Sequence, residues 1–209
     1  MQTSDSAKAR KRTRLTPAER RSQLLDAAQK LIAEHGVSSF TMELVAKVAG
    51  VSNPLVYKYF DTRLMLLQEL LVREVRDLET TLVARLHTAR DYSDVVEVFV
   101  RVDFEQAQRS NTLEILANQP DIRVAIDGNK AERRQKFNAV LINGLKDMHA
   151  IPTDQAVRIL TMASGASRAA AEAYRKYGGD PEKMIAEAKA LILAGIDAVA
   201  NLNSADEAS

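Results

Sequence analysis

The sequence predicts an all-α fold, in which three short helices at the N-terminus precede a larger body of long helices. Apolar residues recur three and four positions apart along most of the chain, as on the buried face of a helix. No segment before residue 60 alternates apolar and polar residues as a half-buried strand does. Hydrophobic residues make up 46% of the 209 residues and charged residues 27%, which is typical of a globular chain with a sizeable core.

The first helix is predicted to begin after Thr16. The run Thr16-Pro17-Ala18-Glu19 is a capping-box sequence, because the threonine hydroxyl and the glutamate carboxylate can each accept a backbone N–H of the other residue. Pro17 falls at the first helical position, where its missing N–H costs nothing. Gly36 ends the helix.

Two short helices follow, with Gly50 between them. Thr41 is the expected N-cap of the second helix, and the third begins at Ser52 or Asn53, since either residue can cap and Pro54 suits a first turn. Three short helices with a glycine in the turn between the second and third make a helix-turn-helix, which places its second helix in the major groove of DNA.

The chain is therefore divided into a disordered basic arm at 1–15, a helix-turn-helix DNA-binding domain at 16–62 and a larger helical domain at 63–209. In the larger domain we expect helices at about 62–88, 92–109, 112–118, 121–149 with an interruption at Gly128, 153–177, and 181–202.

Charge is distributed unevenly between these parts. The net charge is +1, but residues 1–63 hold 11 Lys and Arg against 6 Asp and Glu, whereas residues 64–209 hold 18 against 22. A basic front end suggests an anionic partner, although solvated surface charge explains the same numbers. The arm itself has two open explanations, a contact with DNA phosphates or the minor groove, and a solubility tail.

The leading end of the third helix holds the candidate base-reading residues. Their side chains are short enough for the backbone to approach the bases: Ser52, Asn53, Pro54 and Leu55. Asn53 can pair bidentately with adenine, and Pro54 can pack on a thymine methyl group. Lys58 and Tyr59 lie one turn back and would meet phosphate. Without further information, the aromatic residues Tyr57, Tyr59 and Phe60 are better explained as core.

The run LLDAAQKLIAEHGVSSFTMELVAKVAGVSNPLVYKYFDTRLMLL resembles the DNA-binding domain of the TetR (tetracycline repressor) family of bacterial transcription regulators. The resemblance is carried by an ordered set of residues: Ala27-Ala28, Gly36, Thr41, Ala46, Ala49-Gly50-Val51-Ser52 and Tyr57-x-Tyr59-Phe60. It implies that Thr41, Tyr57, Tyr59 and Arg63 touch DNA phosphates, with Tyr57 shared between core and DNA. Arg63 stands where the family usually has lysine.

The resemblance also implies a homodimer formed through the last two long helices and a small, largely apolar effector bound in the C-terminal domain. Small residues in the helix at 153–177 and an apolar helix after it agree with such an interface. The candidate effector-binding residues, each also explained by plain core packing, are Phe99, Phe104, Met148, Met162 and Arg168. The expected protein is thus a cytoplasmic, bacterial DNA-binding regulator that leaves a palindromic operator when the effector binds.

Other functions have less support in the sequence. With no cysteine, it has no thiol nucleophile and no cysteine-based zinc site, and no histidine pairing predicts a metal. No nucleophile elbow or glycine-rich phosphate loop indicates an enzyme or a cofactor. No run of 18 apolar residues predicts a membrane helix. The alternative left open is a nucleoid-associated or protein-interaction factor of the same fold, with a C-terminal domain packed solid and no effector.

Overall fold

The computed structural model of the chain describes residues 15–127, 142–146 and 151–206. The chain divides into two compact units, Met1–Arg63 and Leu64–Ser209. Every regular element in the described residues is a helix, which confirms the all-α fold class. The predicted basic arm and the residue Met148 lie outside the described residues, as does most of the helix expected at 121–149, including its interruption at Gly128.

Nine helices in the described residues are labelled here in chain order. They are α1 (Pro17–His35), α2 (Met42–Ala49), α3 (Asn53–Tyr59), α4 (Arg63–Leu86), α5 (Tyr92–Arg109), α6 (Thr112–Ala117), α7 (Pro120–Asp127), α8 (Thr153–Tyr177) and α9 (Pro181–Asp206). Residues 142–146 are also helical.

The start of α1 has the predicted capping box. The Glu19 N–H donates to the Thr16 hydroxyl at 3.3 Å, and the Thr16 N–H donates to the Glu19 carboxylate at 2.7 Å. These bonds satisfy two backbone donors that would otherwise have no partner. At the other end, Gly36 caps the helix with a φ of 70°, a left-handed value that favours glycine.

The first unit has its own small core, contributed by all three of its helices and the segments between them. The buried side chains include Leu24, Ala28, Ile32, Phe40, Val45, Val56 and Phe60. Helix α2 packs on both α1 and α3. At seven residues, α3 is far too short to persist alone in water, so this packing is what keeps it helical.

In the second unit, α5, α8 and α9 pack against one another around an apolar core. Two ion pairs join α5 to α9: the Lys189 ammonium lies 2.9 Å from the Glu97 carboxylate, and the Arg101 guanidinium lies 2.6 Å from Glu182. The hydrogen bonds from Lys189 and Arg101 lower the pKa of Glu97. Within the described ranges, no helix is long and apolar enough to cross a membrane.

Candidate nucleic-acid interface and ligand cavity

The turn between α2 and α3 depends on the backbone conformation of Gly50. Its φ of 66° and ψ of 37° are left-handed, a region that costs an L-residue with a side chain roughly 1–2 kcal/mol. The Gly50 N–H donates to the carbonyls of Ala46 and Lys47, and the Val51 N–H donates to Ala46 at 2.9 Å. These bonds end α2 sharply, so α3 can start after only three intervening residues.

Helix α3 is fastened to α1 at its C-terminal end. Val56 and Phe60 are fully buried, and the Arg21 guanidinium lies 4.4 Å from the centroid of the Phe60 ring. Arg21 also donates to the Tyr59 carbonyl at 2.8 Å. Phe60 is therefore a core residue, as the sequence favoured, and its burial orients the helix.

The leading end of α3 starts at Ser52, whose side chain makes no capping hydrogen bond. The Leu55 N–H donates instead to the Ser52 backbone carbonyl at 3.0 Å. Ser52 and Pro54 are exposed, and Leu55 is half-buried. The Ser52 hydroxyl is thus available to a partner outside the domain, because α3 does not use it.

Asn53 is the first residue of α3 and its side chain meets Glu43 of α2. The Asn53 amide nitrogen lies 3.4 Å from the Glu43 carboxylate, and its amide oxygen has no hydrogen-bond partner among the described residues. A side-chain amide has both donors and an acceptor to offer. This oxygen is buried, so the Asn53 side chain must turn away from Glu43 before it can offer the acceptor that adenine N6–H₂ requires.

The phosphate-contact candidates around α3 are arranged as follows. The Thr41 hydroxyl accepts the Leu44 N–H at 3.3 Å and caps α2. Hydrogen bonds from the Glu43 backbone N–H and from the Thr41 hydroxyl to the Glu43 carboxylate lower the pKa of Glu43. Tyr57 is 43% exposed, Lys58 is exposed and Tyr59 is half-buried. Thr41 thus lies at the start of α2, and Tyr57, Lys58 and Tyr59 are the last three residues of α3.

Arg63, for which the resemblance predicts a phosphate contact, also makes hydrogen bonds within the domain. Its guanidinium donates to the carbonyls of Val37 at 2.8 Å and Phe40 at 3.0 Å, and lies 5.7 Å from the centroid of the Phe40 ring. Arg63 therefore closes the loop between α1 and α2. Sequence reasoning missed this role, because the two carbonyls are 26 and 23 residues away along the chain.

The three helices, the glycine turn and the exposed leading end of α3 define a helix-turn-helix DNA-binding domain. Residues 24–70 match the family described as "Bacterial regulatory proteins, tetR family". This match confirms the resemblance of the helix-turn-helix domain to the TetR family that was predicted from its residues.

Curated relatives match over the same region. The chain is 37% identical over 89 residues to the HTH-type transcriptional regulator BetI of Agrobacterium fabrum, which is 43% of each chain. It is 33% identical over 96 residues to the HTH-type transcriptional activator FasR of Mycolicibacterium smegmatis, 46% of this chain and 44% of that one. The match thus spans less than half the length of these relatives. They are regulators and not enzymes.

Solved structures extend the likeness to the larger unit at the level of the fold. The fatty acid degradation regulator FadR from Bacillus halodurans has a TM-score of 0.67 at 19% identity, covering 87% of this chain and 97% of that one. A putative transcriptional regulator from Saccharomonospora viridis in complex with choline has a TM-score of 0.65 at 20% identity, covering 84% and 96%. At these identities the comparison shows the fold alone.

A narrow cavity lies inside the second unit, between α5, α8 and α9. It holds about 370 Å³ of empty space, including some that opens to solvent, and little of it is wide enough for a water molecule. Apolar side chains form most of its wall: Val96, Phe99, Leu160, Ala163, Ile192 and Ile196. Four polar residues, Tyr92, Asp103, Ser164 and Ser167, complete the lining.

The five candidate effector-binding residues are not brought together by the structure. Phe99 lines the cavity, whereas Phe104 is fully buried with its ring centroid 5.7 Å from that of Tyr174. Met162 is 58% exposed and Arg168 is exposed. Met148 lies outside the described residues.

Sequence reasoning did not select Asp103 as a cavity residue, although a signal was present. Asp103 lies four, seven and eleven positions after Phe99, Val96 and Tyr92, so the four share one face of α5. A carboxylate on an otherwise apolar helix face is unusual and can be read from the sequence. In the described parts of the chain, no group of three His, Asp or Glu side chains is placed to hold a metal ion.

Proposed function

We propose that this protein is a DNA-binding transcription regulator that reads its operator with the leading end of α3. The observation that carries the proposal is the exposed start of α3, where Ser52 and Pro54 are exposed and the Ser52 hydroxyl makes no capping bond. It is supported by the TetR-family domain match over residues 24–70. The protein would act in the bacterial cytoplasm, where it meets the chromosome.

The proposed operator contacts are the residues selected from the sequence. Asn53 and Pro54 read base edges, with Ser52 and Leu55 beside them, while Lys58 and Tyr59 meet phosphate. The resemblance adds Thr41, Tyr57 and Arg63 as further phosphate contacts. Arg63 is tested separately, because its guanidinium also closes the loop between α1 and α2.

The proposed active form is a two-fold dimer that binds a palindrome. Large apolar side chains on the last two long helices are exposed in the single chain: Val157, Met162, Tyr177 and Leu191. Their exposure supports an interface through α8 and α9, because such side chains gain most by being covered. A two-fold dimer would set its reading helices in successive major grooves, roughly 34 Å apart.

The test is selection of bound fragments from the host genome, followed by the variant Asn53→Ala. Truncating Asn53 should relax base preference at one symmetric pair of positions and cost about 1–3 kcal/mol per contact. Asn118→Ala, the same truncation at an exposed position in the second unit, is the control and should leave the selected sequence unchanged. An unaltered sequence profile for Asn53→Ala would remove Asn53 from the base-reading set.

We further propose that a small effector occupies the cavity and releases the operator, so that the protein acts as a repressor. The apolar cavity between α5, α8 and α9 supports this proposal, and an effector would have to widen it, because little of its space is wide enough for a water molecule. Two solved structures of the same fold carry choline and stearoyl-CoA. DNA and effector would weaken each other's binding by the same factor, commonly about 5- to 150-fold.

Effector release is tested by titrating a compound that raises the melting temperature against a preformed protein–operator complex. Operator affinity should fall as the compound saturates the protein, and the operator should weaken the compound to the same extent. Unchanged operator affinity at saturation would eliminate the release mechanism for that compound.

A further inference from the structure

The cavity between α5, α8 and α9 has a charge pattern that indicates what kind of molecule it binds. We propose that it takes an elongated organic cation, with a protonated amine at Asp103 and an apolar body extending toward Tyr92. This inference rests on the proposed function in treating the cavity as the effector site.

Asp103 is the charged group among the residues that line the cavity. Its carboxylate accepts a hydrogen bond from the Ser167 hydroxyl at 2.5 Å and has no ion pair within 4.0 Å in the described ranges. Burial raises the pKa of the Asp103 carboxyl, while the Ser167 bond and the charge of Arg168 act in the opposite direction. Asp103 is half-buried, its hydrogen bond comes from a neutral donor, and Arg168 acts on it without forming an ion pair, so a ligand cation would supply a charge that the cavity wall lacks.

The basic side chains near the cavity do not favour an anionic ligand. Lys189 and Arg101 lie on the neighbouring face, where Glu97 and Glu182 already bind them. Arg168 follows Ser167 on α8, but its side chain is exposed and does not line the cavity. Among the described residues, a ligand inside the cavity therefore meets a carboxylate and no cation.

The shape of the cavity follows α5. Tyr92, Val96, Phe99 and Asp103 line it from one face of that helix, and eleven residues of rise between the first and the last correspond to about 16 Å. Apolar side chains occupy the length between these two polar ends. The occupant is therefore elongated, with a hydrocarbon body, and it widens the cavity as it enters, because little of the present space is wide enough for a water molecule.

The far end of the cavity offers a second polar group. The Tyr92 hydroxyl is buried and has no hydrogen-bond partner among the described residues. Buried hydroxyls almost always have a partner, so an unmatched one in a cavity wall points to a group that arrives with the ligand. A hydroxyl or carbonyl at the distal end of the cation would satisfy it.

The experiment compares three probes of equal chain length, octylamine, octan-1-ol and octanoate, by calorimetry on the full-length protein. Octylamine should bind more tightly than octan-1-ol by roughly tenfold or more, since a hydrogen bond between charged partners is worth more than a neutral one. Octanoate should bind most weakly. Equal or tighter binding of octan-1-ol or octanoate would overturn the proposal, and so would the absence of saturable binding by all three at millimolar concentration.

The variant Asp103→Asn tests whether that carboxylate is the source of the preference. It should bind octylamine and octan-1-ol alike, whereas Asp77→Asn, the same change at an exposed position on α4, should keep the wild-type preference. An amine preference that survives in Asp103→Asn overturns the assignment. The comparison of the three probes on the unaltered protein tests the proposal by itself. The proposal therefore stays testable if Asp103→Asn does not fold.

The distal group is tested with 8-amino-octan-1-ol. It should bind more tightly than octylamine to the unaltered protein, and Tyr92→Phe should abolish that gain. The outcome of DNA selection does not depend on these binding measurements. A protein that binds amines but selects no DNA would overturn the proposed regulatory function and leave the cation site standing. A protein that selects DNA but prefers octanoate would overturn the cation site and leave the regulatory function standing.

Discussion

Replacing Arg63 with lysine separates two roles that the sequence and the structure give to this residue. Lysine keeps the positive charge, so a phosphate contact at this position would be largely preserved. It cannot reproduce the fork with which the guanidinium reaches two carbonyls at once. The two roles therefore predict opposite results.

The size of the effect follows from the contacts of Arg63. Its guanidinium makes one hydrogen bond to Val37 and one to Phe40, at 2.8 and 3.0 Å, and an ammonium can keep one of them. A hydrogen bond to a charged group contributes about 1.5–3 kcal/mol, and the ring contact with Phe40 about 0.5–1 kcal/mol. With partial exposure taken into account, we expect Arg63→Lys to destabilise the first unit by about 2 kcal/mol.

Hydrogen–deuterium exchange over residues 15–63 is the suitable assay, because it reports on the first unit separately from the second. Exchange should be faster in α1 and α2 of Arg63→Lys, and unchanged in the matched control Arg76→Lys, whose side chain is exposed. The slope of operator affinity against salt should stay the same. Wild-type protection in Arg63→Lys, together with a salt slope flattened by about one in Arg63→Ala, would refute the loop-closing role and favour the phosphate contact.

Three further substitutions test the structure. Gly50→Ala should cost about 1 kcal/mol of stability in urea unfolding, because φ is +66° while no atom lies within 4 Å of the added carbon; a neutral change would contradict the left-handed turn. Gly144→Ala should lower the melting temperature, since its methyl group would lie 3.0 Å from the Tyr92 ring, and an unchanged melting temperature would show that the ring moves freely. Asp103→Asn should raise the melting temperature relative to wild type near pH 8 and much less near pH 3. Burial raises the folded-state pKa of Asp103. The contribution of the Asp103 carboxyl to stability is therefore present below its unfolded-state pKa and is lost as pH rises through its folded-state pKa. A gain in melting temperature that does not depend on pH would contradict this.

The first unit could be predicted from sequence almost in full, because its signals are local. The capping box at Thr16, the glycine at 50 and the proline at 54 act on their immediate neighbours, and each is found where its chemistry placed it. The sequence left two candidates for the N-cap of α3, Ser52 and Asn53. In the structure the cap is Ser52, and its hydroxyl makes no capping hydrogen bond. A cap residue can be recognised from sequence, but whether its side chain is used depends on backbone geometry.

The long helices were predicted with small errors at their ends. The helix expected at 62–88 runs from Arg63 to Leu86, and the last helix, expected to end near 202, continues to Asp206. Helix α7 begins at Pro120 and not at residue 121, since proline fits the first turn. Helix ends fray and depend on weak local preferences, which the periodicity of the interior does not reveal.

The lining of the cavity could not be predicted in the same way. Met162 and Phe104 are both apolar residues on long helices, yet one is 58% exposed and the other is fully buried. Which face of a helix turns toward its neighbours is decided by packing between segments far apart in the chain. Asp103 could have been predicted but was not selected, although a carboxylate within an apolar stripe is a signal that the sequence shows.

The shortness of α3 has a consequence for any genetic screen on this protein. A helix of seven residues that exists only through its neighbours ties the reading surface to the integrity of the small core beneath it. Substitutions at Val56 or Leu24, which face no base, should be recovered as loss-of-binding alleles alongside those at Asn53. Such alleles should be rescued by lower growth temperature, whereas alleles of a reading residue should not.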